Sequence, residues 1–320
     1  MPNNYNGLIN IYKEPGFTSN DVVAKMRGIL HQKKIGHTGT LDPDAVGVLV
    51  VCLGTGTKLV EMLTDHDKEY IAVVKLGVVT DTQDMSGQIL ETADVNVTGE
   101  QLREAAKAFV GDYDQIPPMY SAIKQNGKKL YELAREGIEV ERKPRKIHID
   151  AITILDDSRL LSDHIFTMEV KCSKGTYIRT LCHDMGARLG CGAAMQHLTR
   201  TRVGAFGLDT AITLSQLETM RDEGTLESVI KSPEYIFRDL DAIHVKDSAK
   251  KLLINGNSFR ADNVVNEDPG DVNDTEFTEE MFKNGNSFRV YSEDDEFFGI
   301  YTYNGKTRLF NVDKFFYENN

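Results

Sequence analysis

The sequence predicts an α+β protein in two parts, a mixed part over residues 1–240 and a smaller β-rich part over residues 241–320. Three observations predict it. Phe166, Met168, Val170 and Cys172 alternate as a half-buried strand does, and Ile178, Leu181, Cys182, Met185 and Leu189 then fall at helical spacing. Beyond residue 240 the pattern changes to short apolar runs punctuated by Asn-Gly turns. A length of 320 residues suits two domains or one large one, and 40% hydrophobic with 27% charged residues suffices to bury a core.

The elements follow in order. Thr18-Ser19-Asn20-Asp21 offers capping oxygens to a helix whose Val22, Val23, Met26, Ile29 and Leu30 share a face. Gly54-Thr55-Gly56-Thr57-Lys58 lacks the Gly-x4-Gly-Lys-Ser/Thr spacing that wraps phosphates, so it reads as a tight turn before a helix. Tyr70 to Gly77 is short and β-branched, a strand. Thr98 to Val110 is helical in pattern, with Gly111 as its stop. Lys174-Gly175-Thr176 lies at the strand–helix junction, and Gly190 ends the helix that follows. In the last part, Phe297–Tyr303 and Lys306–Val312 flank Asn304-Gly305, the dipeptide favoured by a type I′ hairpin turn. Asn-Gly-Asn-Ser-Phe-Arg occurs at 255–260 and again at 284–289, two turns of one small β domain rather than a repeat array. Between them, residues 261–280 are acidic and turn-rich, an expected exposed loop.

Composition narrows the class. No apolar run approaches the roughly 20 residues that span a bilayer, and Met1-Pro2-Asn3-Asn4-Tyr5-Asn6 has neither the basic flank nor the apolar core of a secretory signal. Cys52, Cys172, Cys182 and Cys191 show no Cys-x-x-Cys pairing and no His at finger spacing, so we expect reduced thiols of a cytoplasmic protein and no metal site. A net charge of −12 taken alone argues against nucleic acid. Its distribution is uneven: residues 124–146 hold 8 basic against 4 acidic side chains, and residues 171–202 hold 6 against 1. Such segments fit either a polyanion site or solvated faces.

The most informative stretch is Gly36-His37-Thr38-Gly39-Thr40-Leu41-Asp42-Pro43-Asp44-Ala45-Val46-Gly47-Val48-Leu49, glycine-rich and polar before an apolar run. Glycines let the backbone turn sharply and approach a ligand, and Pro43 holds Asp42 in an extended or turn conformation. By itself the Asp42-Pro43 dipeptide is a turn.

Six blocks taken together carry a resemblance. They are Lys13-Glu14-Pro15-Gly16-Phe17-Thr18-Ser19; Gly36 to Leu49; Lys68-Glu69-Tyr70 with Gly77 and Thr80-Asp81-Thr82-Gln83-Asp84; Gln115-Ile116-Pro117-Pro118-Met119-Tyr120-Ser121-Ala122-Ile123-Lys124 with Gly127 and Leu130-Tyr131; Cys172-Ser173-Lys174-Gly175-Thr176-Tyr177-Ile178-Arg179-Thr180; and Leu198-Thr199-Arg200-Thr201-Arg202-Val203-Gly204. In this order, over residues 7–206, they resemble the catalytic domain of the TruB family, bacterial synthases that make pseudouridine in the T loop of tRNA. Residues 241–320 are similar, more weakly, to the family's small PUA-like RNA-binding domain; their net −7 departs from an RNA-gripping surface.

The resemblance implies a pseudouridine-synthase fold, a central mostly antiparallel sheet flanked by helices, with an RNA-gripping insertion at about residues 115–150. It implies isomerisation of the uridine at position 55 by base flipping, cleavage and re-attachment of the uracil through C5, with no redox change and therefore no cofactor. Asp42 matches the catalytic aspartate, whether it attacks C6, attacks C1′ or removes the C2′ proton. Arg179 would pair with it bidentately, and Tyr70 matches the tyrosine that stacks on the uracil. His37 resembles the histidine that inserts near the vacated base, Leu198 the residue on the apolar side of the uracil pocket, and Tyr177 sits at the site mouth. Lys124, Lys128 and Lys129 become phosphate contacts. The implied partner is the T arm of tRNA, bound by a monomer, with no DNA, membrane or guide RNA. The alternative from another class is a non-catalytic tRNA-binding or tRNA-folding protein of the same fold.

Overall fold

Caps, glycines and β-branched runs set where each element begins and ends. The computed structural model describes residues 5–265 and 282–318; residues 1–4 of the expected leaderless terminus and 266–280 of the expected acidic loop lie outside them. Strand β1 (Gly7–Lys13) leads to α1 (Ser19–Leu30), where Thr18 and Asp21 form a reciprocal capping box. β2 (Ile35–His37) and β3 (Val46–Leu53) follow, then a 3-10 turn over Gly54–Leu59 into α2 (Val60–Thr64), the turn-then-helix expected there. β4 (Lys68–Leu76) alternates inward and outward residues, and β5 (Val78–Thr80) pairs with β6 (Ile89–Thr92).

Helix α3 (Gly99–Lys107) starts on the expected Thr98 cap but stops three residues before Val110. Gly111, at φ +102°, does not cap it; it opens β7 (Gly111–Gln115). The insertion is a hairpin, β8 (Lys124–Gln125) and β9 (Lys128–Lys129), followed by α4 (Leu130–Arg135). Its turn residues Asn126 and Gly127 both have positive φ, as a two-residue I′ turn requires. β10 (Arg145–Asp156), α5 (Leu160–Asp163), β11 (Ile165–Cys172), α6 (Ile178–Arg188), β12 (Ala193–Val203), β13 (Phe206–Gly207) and α7 (Leu214–Asp222) complete the larger part.

Its sheet runs β1-β3-β12-β4-β11-β10-β7, with β2 on β3 and β13 on β12. Every pairing is antiparallel except the short contact of β3 with β12, which matches the expected mostly antiparallel sheet. α3 and α6 cover one face, packing Leu102, Ala106, Leu181 and Met185 on Ala72, Val74 and Met168.

The smaller sheet has the order β14-β16-β17-β18-β15, from Ala242–Val245, Ser287–Ser292, Phe297–Asn304, Leu309–Phe315 and Phe259–Arg260, with α8 (Lys250–Ile254) at its edge. Here the I′ expectation is wrong: Asn304 pairs with Leu309, so the loop has four residues, not two. The Asn304 carboxamide oxygen accepts from the backbone N–H of Lys306 and Thr307, which draws the chain into a wider Asx-type turn, and Arg308 rather than Gly305 takes the positive φ. The two sheets meet where Val48, Val50, Cys52 and Phe206 pack with Phe237, Ile300 and Phe316. β3 is therefore buried on both sides, its other face lying under α1 and α7 through Leu49, Val51 and Leu53.

Candidate active site

The loop between β2 and β3 carries Asp42. Four of its residues are tied down from below. Leu41 donates its N–H to Ser19 Oγ at 2.9 Å. The Pro43 carbonyl accepts from Lys13 Nζ at 2.8 Å and from the Gly16 N–H at 3.0 Å. Thr40 and Gly39 offer their carbonyls to Arg200, at 3.3 and 3.4 Å. Asp42 is left facing outward with its side chain 40% exposed.

Arg179, on the first turn of α6, meets it there. Its Nε lies 2.9 Å from Oδ2 and its Nη2 3.2 Å from Oδ1, a side-on fork of two charge-assisted hydrogen bonds. The side chain of Arg179 is only 6% exposed, so the fork is made by a buried guanidinium. The remaining donors are used: Nη1 donates to the Thr82 carbonyl at 2.9 Å, Nη2 to the Tyr120 carbonyl at 2.9 Å, and the Asp84 carboxylate stands 3.6 Å from Nη1. Arg179 thus gathers three segments distant in sequence around one carboxylate.

Tyr70 lies on β4 opposite Arg200 and is almost wholly buried. Burial pushes its phenol above the ordinary tyrosine range, while the adjacent Arg200 guanidinium opposes that push. The charge on Asp42 also bears on this hydroxyl, so the two groups share one site. Leu198, Leu41 and Ala45 join Tyr70 in the apolar wall.

Tyr177 is half-buried at the start of α6. The Gln115 side chain clamps its backbone, accepting from the N–H at 2.8 Å and donating to the carbonyl at 3.0 Å. His37 is half-buried on the same loop as Asp42 and accepts the Gly39 N–H on Nδ1 at 3.3 Å. Burial first, and the Arg200 charge second, hold its pKa below the ordinary histidine value, so the ring is neutral.

Asp42 and Arg179 are thus in contact, Tyr70 and Tyr177 lie close enough to feel the Asp42 charge, His37 feels that of Arg200, and Leu198 shares the apolar cluster of Tyr70. Lys124, Lys128 and Lys129 do not join them; they stand on the insertion hairpin. Lys128 is paired with Glu136 at 3.0 Å, and Lys129 donates to the Tyr131 hydroxyl at 3.2 Å. Sequence reading assigned no role to Asp84, Gln115, Ser19, Lys13, Lys68 or Arg200. A signal existed for the last three: Lys13 has the parity of Ile9 and Ile11, Lys68 that of Tyr70 and Ala72, and Arg200 that of Leu198. A cation at a core-facing strand position is rarely buried without a task. Lys13 and Lys68 are both pushed down to about 8, by burial foremost.

Comparison with known proteins follows this geometry. The model for the N-terminal domain of TruB family pseudouridylate synthases matches residues 27–178, and that for the tRNA pseudouridylate synthase B C-terminal domain matches residues 179–238. The tRNA pseudouridine synthase B of Lachnoclostridium phytofermentans is 49% identical over 315 residues, covering 97% of this chain and 99% of that protein. Its counterpart in Clostridium novyi is 43% identical over 302 residues, covering 94% and 96%. Among solved structures, a Cbf5-Nop10-Gar1 complex superposes with a TM-score of 0.68 at 27% identity, over 97% of this chain and 85% of that one. An H/ACA RNP bound to a substrate RNA containing 2′-deoxyuridine gives a TM-score of 0.67 at 25% identity, over 98% and 85%.

Proposed function

The chain belongs to the TruB family of pseudouridylate synthases, and on that premise we propose how its cleft performs the reaction and on which nucleotide. It is an isomerase that converts uridine to pseudouridine in tRNA, on a pseudouridine-synthase fold with a PUA-like smaller sheet. The target we assign is the uridine at position 55 in the T loop. The chain acts without a guide RNA, a reading supported by 43–49% identity to tRNA-modifying relatives against 25–27% to the ribonucleoprotein enzymes.

The carrying observation is the Asp42–Arg179 fork: a buried guanidinium orients a carboxylate whose far side is open to the cleft. Flipping the uridine into that cleft costs a few kcal/mol of lost stacking, offset by contacts to the extruded base. Asp42 then acts on the nucleotide while the N1–C1′ bond is broken. The uracil turns against the apolar wall of Leu198, Leu41 and Tyr70 and rejoins C1′ through C5, which loses its proton while N1 takes one up, so that no atom is gained or lost. Tyr70 is the group we assign to the base; its raised pKa keeps it a neutral phenol, suited to stacking and to passing a proton only briefly. His37, neutral and on the same loop, is placed to fill the space left by the flipped nucleotide. The insertion hairpin grips phosphates, with Lys124 and Lys129 contributing more than Lys128, whose charge is shared with Glu136.

The experiment is tritium release from an unmodified tRNA transcript labelled at C5 of uridine. Release by the wild type, its loss in Asp42→Ala, and its loss when the T-loop uridine is replaced are the expected results. Binding without release would leave a tRNA-binding protein of the same fold.

A further inference from the structure

Arg200 is the largest essentially inaccessible side chain among the described residues, at 1% exposure. Among the described residues no carboxylate stands within ion-pair distance of it. A guanidinium taken from water without a counter-charge is costly unless its donors are satisfied, and breaking such an arrangement leaves an uncompensated charge. Its donors go to backbone oxygens: Nε to the Val48 carbonyl at 2.7 Å, Nη1 to Thr40 at 3.3 Å and Nη2 to Gly39 at 3.4 Å. β12 places it between Gly47 of β3 and Tyr70 of β4. Gly47 is required for that approach, since a Cβ there would lie 2.2 Å from the Arg200 carbonyl oxygen. On the other side, Tyr70 stands directly across the β12–β4 pair from it, and the phenol feels the guanidinium charge.

We propose that Arg200 is a positioning residue that couples the Asp42 loop to Tyr70, one rigid fork fixing the carbonyls that precede Asp42 and the phenol that faces it. This rests on the function proposed above. The planar guanidinium matters because three directions must be served at once: the β3 backbone, the loop backbone and the phenol. An ammonium on a flexible stem keeps the charge and loses this span.

The test compares wild type, Arg200→Lys and Arg200→Met, each with and without Tyr70→Phe. Three quantities are read: single-turnover tritium release from the unmodified transcript, transcript affinity measured in an Asp42→Ala background, and amide hydrogen exchange across the whole chain. We expect Arg200→Lys to slow turnover about 100-fold, the scale of an ångström-level misplacement. Affinity should be unchanged, and exchange should accelerate over residues 38–46 alone. The loss on adding Arg200→Lys to Tyr70→Phe should be smaller than in the wild type, the sign of coupled residues. A wild-type rate in Arg200→Lys overturns the proposal, as does unaltered exchange at 38–46. Uniformly faster exchange with additive rate losses also overturns it, since that reports a merely structural role. If the wild type itself releases no tritium, the proposed reaction fails, and the exchange pattern still decides whether Arg200 fixes the loop.

Discussion

The two sheets bury different things. In the smaller one the core is aromatic: Phe259, Phe282, Phe288, Tyr303 and Phe310 pack at centroid distances of 5.0–5.7 Å, and Ser292 is its one buried polar residue among those described. In the larger one, Lys13, Arg179 and Arg200 lie buried with donors on the Asp42 loop, and Lys68 and Gln115 lie buried on neighbouring segments. Burying charge stabilises little and often costs free energy, whereas aromatic packing stabilises directly. The larger sheet thus gives up stability at the place where a carboxylate must be held still, and the smaller one has no such place.

Four substitutions can break or sharpen that contrast. Arg179→Lys keeps the charge but loses the fork and the Thr82 and Tyr120 carbonyls; single-turnover tritium release should fall by about 100- to 1,000-fold with affinity retained. A wild-type rate would show that burial here serves the fold instead. Gln115→Leu strands the N–H of Tyr177, whose carbonyl keeps the bond from the Leu181 N–H, and urea unfolding should register roughly 1–3 kcal/mol lost. Tyr301→Phe should act in the opposite direction. Its hydroxyl is buried with no hydrogen-bond partner among the described residues, so removal should raise stability by about 1 kcal/mol.

The smallest effect is pH-dependent and lies on the rim of the larger sheet. The hydrogen bond that the His148 ring donates to the Asp112 carboxylate raises the pKa of His148 above 6.5. The folded state thus holds this proton more tightly than the unfolded chain. The stabilisation is full below pH 6.5 and is lost as pH rises through the folded value. His148→Ala should therefore lower the melting temperature slightly in mildly acidic buffer and not at all well above neutrality.

Much of this was legible in sequence because it is local. The Thr18–Asp21 capping box, the alternation of Phe166 to Cys172 and the helical spacing from Ile178 are written within a dozen residues. Asp42 and Arg179 were found because whole blocks resembled a family, not because any spacing placed them 2.9 Å apart across 137 positions. What escaped depends on distant partners or on competition between turns. Gln115 reads as an ordinary polar residue until the fold brings Tyr177 to it. Asn304-Gly305 has the composition of an I′ turn, but the Asn304 side chain captures the amides of Lys306 and Thr307 and widens the loop. Asn126-Gly127, both at positive φ between the paired Gln125 and Lys128, forms the tighter turn.

Strand β3 has no face left for water: one side lies beneath α1 and α7, the other against Phe237, Ile300 and Phe316. The tail is consequently a cover as well as a module. A chain cut near residue 240 would present Val48, Val50, Cys52 and Phe206 as an adhesive patch, directly behind the strand that anchors the Asp42 loop. A nick in the connecting segment would be felt in the cell as a quality-control problem before it was felt as a lost activity.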